Sequence, residues 1–351
     1  MKRNWIRMMA ALLIACLLTG CTGTIVVVQQ PTTGAAEPEV SAPGAVKIGL
    51  AVTATVAEST SATAEAAGAI KFDITMAAVA VDANGVIRAC KIDSVPATVA
   101  IDGTGAITSD LTAEILTKDE LGENYGMKAW GGAVAEWDEQ VAALCDFAVG
   151  KTVEELKNGA VDETGKAPAG TDLATSATIY LGGYVNAIEA AVNNAQTQGA
   201  QSSDTLALVT LNSLGSSVAA TAEKAGTAQL DVTIGVVASK DGVVTACYID
   251  AVQAKVSFDT TGTITTDLSA PIQTKNELGE NYGMKAWGGA IAEWDEQAAS
   301  FAKYVIGKNA GEITGIAVTE STKPAEGTDL AASVTISIGD FQALVVKALN
   351  Q

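Results

Sequence analysis

Leu121 to Ala133 reads LGENYGMKAWGGA, and the same thirteen letters return at Leu278 to Ala290. Extended to Gln140 and Gln297, the identity breaks only at Val134/Ile291. A period of 157 residues is far longer than the roughly 20–50 residues of solenoid repeats, so it announces one domain written twice. Working outward, each copy opens with an apolar strand, at Val46–Thr55 and Leu206–Asn212. A hairpin follows: Phe72–Val81 and Val86–Val95 around Asn84-Gly85, matched by Leu230–Ala238 and Val243–Val252 around Asp241-Gly242. Asn-Gly and Asp-Gly suit the positive φ angles of tight hairpin turns. A second turn, Asp102-Gly103-Thr104-Gly105 with Thr261-Gly262 as its mate, predicts one more strand.

The repeated block leads into a helix. Val134, Trp137, Val141, Leu144, Cys145 and Ala148 fall at helical spacing, as do Ile291, Trp294, Ala298, Phe301, Ala302 and Val305. A last helix carries Tyr184, Ile188, Ala191 and Val192, mirrored by Phe341, Val345, Ala348 and Leu349. Strands early and helices late make the class α+β, two tandem copies of a small antiparallel sheet packed with helices. The copies span 46–192 and 205–351, and the polar stretch 193–204 reads as a linker.

The N-terminus has its own grammar. Lys2, Arg3 and Arg7 precede an apolar run, Met8 to Leu18, too short for a permanent span of about 20 residues. Leu18-Thr19-Gly20-Cys21 then resembles the lipobox of bacterial lipoproteins. That resemblance implies a signal peptide over 1–20, diacylglycerol on Cys21, and a location on the extracytoplasmic face of the cell membrane. Residues 21–45, with Pro31, Pro38 and Pro43, read as the lipidated Cys and a tether.

Composition removes whole classes of chemistry. The chain has no histidine, which excludes His-based zinc sites and His general bases. Its formal charge is -19, and loss of Lys2, Arg3 and Arg7 with the signal peptide takes it to -22. Nucleic acid needs the opposite sign. Cys90, Cys145 and Cys247 read as buried apolar thiols, with a Cys90–Cys145 disulfide as the alternative. Paired acids such as Glu136 and Asp138 read as a solvated helix face, which leaves a hydrolase with little support.

Two places in each copy are candidates for function. One is the repeated block, where Tyr125, Gly126 and Trp130 (Tyr282, Gly283 and Trp287 in copy two) offer flat faces beside glycines that permit close approach. Lys118 and Lys128 add positive charge there. Trp137 and Trp294 fall on the helix stripe and read as core. The other place is Asp172-Leu173-Ala174-Thr175-Ser176-Ala177-Thr178, with Asp329 and Thr335 in copy two.

This second motif resembles the Asp-x-x-Ser/Thr-Gly-Ala-Thr of FMN-binding domains. Domains of this kind occur in the Rnf G subunit, the C subunit of sodium-pumping NADH:quinone reductases and flavinylated lipoproteins. Glu120-Leu121-Gly122 to Lys128 is similar to their upstream Glu-Thr-Pro-Gly-like loop. The resemblance implies FMN joined by a phosphoester to Thr178, a separate flavin transferase, and a membrane electron donor. Copy one keeps Asp172, Thr175, Ala177 and Thr178 but has Ser176 for Gly. Copy two keeps Asp329 and Thr335 while Ala332, Ser333 and Val334 depart, with Val334 expected to crowd the hydroxyl. A covalent bond would suit an exterior where lost cofactor is not replaced. The expectation is an electron carrier without catalytic residues of its own. The alternative is a non-redox surface lipoprotein that binds a small ligand, peptide or partner protein through its Tyr/Trp/Gly loops.

Overall fold

Each sheet of this protein has two apolar faces, and the architecture follows from covering both. The computed structural model describes residues 44–351; the signal peptide, Cys21 and the tether up to residue 43 lie outside the described residues. The described strands are β1 (Ala45–Thr55), β2 (Gly68–Asp82), β3 (Ile87–Ile101), β4 (Gln196–Gln201), β5 (Thr205–Ser213), β6 (Gly226–Lys240) and β7 (Val243–Phe258). They form two antiparallel sheets, ordered β3-β2-β1-β4 and β5-β6-β7. Copy one contributes helices α1 (Lys118–Leu121), α2 (Met127–Gly131), α3 (Trp137–Ala148), α4 (Val153–Ala160), α5 (Asp172–Ser176) and α6 (Gly182–Asn193). Copy two contributes α7 (Lys275–Leu278), α8 (Met284–Gly288), α9 (Trp294–Val305), α10 (Ala310–Thr314) and α11 (Gly339–Leu349). The fold is α+β, with two sheet units packed with helices.

Strand alternation sorts the side chains into layers. On β2, Ile70, Phe72, Ile74, Met76 and Ala78 face one way, and on β6, Ala228, Leu230, Val232, Ile234 and Val236 meet them in a single core. Ala77 and Val79 face the other way, onto Trp137, Leu144, Val185 and Ile188 of α3 and α6. Val209 and Val237 likewise face Phe301, Phe341 and Leu344 of α9 and α11. The order is helices, sheet, sheet, helices, and the central layer belongs to both copies. No described helix is long and apolar enough to cross a membrane.

The copies meet as mates in a two-fold arrangement. β2 lies over β6, β1 over β7 and β3 over β5. Ala62 N donates to Gly262 O, and its mate Ala220 N donates to Gly105 O, both at 2.9 Å. Such reciprocity is the signature of an isologous contact. Gly105 and Gly262 both have φ +71°, and a methyl at either would run into the other copy.

Four expectations need correction. The stretch 193–204 is more than a linker, because Gln196–Gln201 pairs with β1 as β4. The Asp102–Gly105 turn forms, but beyond it only an isolated bridge, Ile101 to Ile107, appears instead of a strand. The chain returns along the end of β3 for only a few residues, with Thr108 N donating to Ala100 O at 2.9 Å and Ala100 N to Ser109 Oγ at 2.8 Å. Val134 and Ile291 are exposed, ahead of helices that start at Trp137 and Trp294. The copies differ by one residue at the hairpin tip, as the sequences imply, but Asn84-Gly85 does not form a two-residue turn. Asp241 (φ 52°) and Gly242 (φ 75°) make the expected two-residue turn, whereas copy one has a longer loop with only Gly85 at positive φ. The extra residue lets Asp82 close that loop through Asn84 N and Val86 N.

Gly262→Ala is expected to destabilise the protein by about 2–4 kcal/mol, combining left-handed backbone strain with overpacking. Gly85→Ala shares the positive φ but meets nothing within 4 Å, so it should cost about 1 kcal/mol. Urea titration of the two variants checks the difference.

Candidate functional site

The site begins with a helix cap. Thr117 accepts from Glu120 N at 3.1 Å, and Glu120 Oε2 accepts from Thr117 N at 2.9 Å, the reciprocal pair that starts α1. Asp93, buried on β3, accepts from Ser94 N at 2.7 Å and Asp119 N at 3.1 Å, which moors α1 to the sheet. Copy two repeats this with Thr274, Glu277 and Asp250.

This mooring turns Lys118 inward, where it is only 6% exposed. Its Nζ lies 3.3 Å from Asp73 Oδ2, 5.3 Å from the Tyr125 ring centroid and 5.2 Å from that of Trp137. Burial pushes against the ammonium charge, but the Asp73 carboxylate and nearby Tyr125 prevail, and the pKa is raised. Trp137 Nε1 donates to Tyr184 Oη at 2.9 Å, with the rings edge to face. These side chains, with Met127, Ile179 and Tyr180, line a cleft of about 480 Å³. A buried cation among aromatic rings suits a flat ligand that carries negative charge.

The repeated block is built beside this cleft by a second buried acid. Glu136 accepts from Met127 N at 2.8 Å and Lys128 N at 3.0 Å, capping α2, while its own N donates to Glu139. Glu136 is therefore a buried clasp and not part of a solvated face. Gln140, fully buried, donates to Ala135 O and accepts from Thr178 N (2.8 Å), Thr178 Oγ1 (3.3 Å) and Ile179 N (3.2 Å). Gln140 thus ties the start of α3, just after the repeated block, to the Thr178 segment. The same bonds recur around Glu293, Gln297 and Thr335.

The expected residues divide accordingly. Lys118 and Tyr125 line the cleft, and Thr178 is exposed in the chain segment that supplies Ile179 and Tyr180 to it. Trp130 does not line it: the indole rests on Gly126 and is 90% exposed, as Trp287 is at 89% over Gly283. Lys128 pairs with Glu139 at 3.6 Å, also away from the cleft. Asp172 and Asp329 do not cap their short helices by side chain; Thr171 accepts from Ala174 N, and Thr175 Oγ1 donates to Asp172 O. Val334 is buried in the core, as Ala177 is, and Thr335 is half-buried where Thr178 is exposed. Sequence reasoning missed Asp73, Tyr180 and Tyr184 as lining or charge partners, because their meeting depends on strand and helix packing. Trp137, read as core, also forms cleft wall.

Copy two keeps the frame and changes the chemistry. Lys275 lies 4.8 Å from the rings of both Tyr282 and Trp294, but Phe341 stands where copy one has Tyr184. Asp231, the mate of Asp73, is held by Ser216, Gln229 and Gln253. Cys90, Cys145 and Cys247 are free, buried thiols; burial pushes Cys247 up to about 12, and Cys90 is raised by its hydrogen bond to Cys145. The chain matches no known family model, no curated protein and no solved structure.

Asp93 and Asp250 contribute a pH dependence to this scaffold, since burial pushes each to about 6. The folded state thus holds protons that the unfolded chain has released. Their stabilising effect is complete below the ordinary Asp range near 4 and is lost as pH rises through 6, on the order of 2–3 kcal/mol per group. Asp93→Asn should flatten the fall in stability between pH 4 and 6, measured by urea titration across that window.

Proposed function

We propose that this chain is a lipoprotein, anchored by diacylglycerol on Cys21 at the extracytoplasmic face of the membrane, whose first copy carries FMN through Thr178 for electron transfer. The observation that carries the reading is the cleft, with the buried Lys118 ammonium among Tyr125, Trp137 and Tyr184, beside the Thr178 segment. Its volume of about 480 Å³ lies in the range of small-molecule sites, and its donor set suits an anionic ring system. When bound, FMN would supply reversible electron transfer, and the protein's share would be orientation and electrostatics. Lys118 would favour negative charge on the ring, with Asp73 keeping the lysine protonated. Met127 and Tyr125 would offer polarisable contact and a flat face. Gln140 would hold the Thr178 backbone in place while the exposed hydroxyl stays reachable by a transferase. Copy two, with Phe341 and a differently engaged Asp231, is the weaker candidate.

A second reading rests on a different observation. Trp130 and Trp287 stand in solvent on loops clasped by Glu136 and Glu293, an arrangement suited to a non-redox partner or small ligand.

The test is production with a flavin transferase, denaturation, and a gel viewed under ultraviolet light. The expected result is fluorescence that survives denaturation, is lost in Thr178→Ala, and persists in a Trp130→Ala/Trp287→Ala variant. A dark band with an unmodified intact mass would overturn the flavin reading and leave the tryptophan loops as the place to look.

A further inference from the structure

Among the places where the two copies depart from two-fold symmetry, one leaves a cleft with an unpaired acceptor. On one flank Lys347, from α11 of copy two, crosses to copy one. Its Nζ donates to Glu120 Oε1 at 2.5 Å and to Thr210 O at 3.0 Å. On the mate flank every acceptor of this knot is present. Glu277 takes the place of Glu120, and Val52 on β1 takes the place of Thr210 on β5. The lysine is missing, because the mate of Lys347 on α6 is Ala190.

A cleft of about 530 Å³ lies there, bordered by Ala190, Val52 and Glu277. Glu277 uses Oε2 to cap α7, as Glu120 does for α1, and its Oε1 has no hydrogen-bond partner among the described residues. Asp250 also lines the cleft, and no basic side chain does. Asn276 turns its Nδ2 to Ile249 O, and its buried Oδ1 has no partner. The lining is thus rich in acceptors: Asp250 is engaged in mooring α7, and the exposed Glu277 keeps one carboxylate oxygen free. No cluster of three or more His, Cys, Asp or Glu side chains that could hold a metal ion occurs among the described residues.

We infer that this cleft between the copies binds a primary alkylammonium group, which takes the position against Glu277 and the Val52 carbonyl that the Lys347 ammonium occupies against Glu120 and Thr210. The chemistry is that of a lysine side chain detached from the fold. A free alkyl amine and a lysine presented by a peptide share it. A charge-assisted hydrogen bond to the carboxylate supplies most of the recognition, and the apolar wall of Leu50 and Ala187 accepts the alkyl stem.

The probes are 1,5-diaminopentane and acetyl-lysine amide, with 1-pentanol and potassium chloride as controls, titrated calorimetrically into the intact chain without its signal peptide. Saturable binding of one equivalent of amine, with neither control binding, is the expected result. Preference for acetyl-lysine amide identifies a peptide source, and preference for the diamine a free one. Glu277→Gln, which can keep the cap through its amide oxygen, should weaken binding about ten- to hundredfold. Ala190→Lys should abolish it and raise the thermal midpoint, because the new ammonium fills the hole. Lys347→Ala should open the matching hole at Glu120 and raise the stoichiometry to two. Absence of saturable amine binding, or binding that Glu277→Gln leaves unchanged, overturns the inference. Each outcome is independent of flavin.

Discussion

Everything in this structure depends on the apolar layer between the two sheets. Ile70, Phe72, Ile74 and Met76 of one copy and Leu230, Val232, Ile234 and Val236 of the other are buried against one another. At roughly 25 cal/mol for each Å² of apolar surface removed from water, this layer is a principal source of stability. A single copy would have helices on one face of its sheet and water on the other. Duplication is therefore structural before it is functional: the second copy covers the first. β4 strengthens the arrangement by placing the connecting chain in the sheet of copy one and against the edge of copy two, where Gln198 Oε1 accepts from Cys247 N.

The thirteen identical letters divide into two groups under this architecture. Gly126 admits the Trp130 ring, and the loop around it is clasped by Glu136 just beyond the identical run. Gln140 ties that loop to the Thr178 segment through three bonds to one oxygen. Loss of such a buried group leaves several polar atoms without partners, so drift there is costly. Glu123, Asn124 and Trp130 are exposed, and packing places no comparable demand on them. Their identity between the copies is what packing leaves unexplained.

The copies keep one backbone and diverge in a few side chains that matter chemically. Lys118 has Asp73 and Tyr184 beside it; Lys275 has Phe341, and Asp231 is engaged elsewhere. Lys347 closes one inter-copy flank, and Ala190 leaves the other open. None of these exchanges disturbs a strand or a cap. Function can therefore separate between the halves without affecting the core that joins them.

The sequence by itself determined the duplication, the α+β class, the main strands and hairpins, and the two long helices of each copy. Strand alternation, turn dipeptides and helical spacing are local signals, and the long period is written in the letters. Residue type and spacing drew attention to Lys118 and Tyr125, and a family resemblance to Thr178. Only the tertiary structure decided that the two sheets share a core, because an alternating strand does not say what covers its second face. It alone placed Asp73 against Lys118 and Tyr184 against Trp137, partners 45 and 47 residues apart in the chain. It moved Trp130 out of the cleft and Glu136 into the interior, since periodicity cannot tell an exposed ring from a stacked one or a clasp from a solvated acid. The open flank at Glu277 appears only when the copies are set face to face, because its meaning lies in a lysine that the other flank possesses.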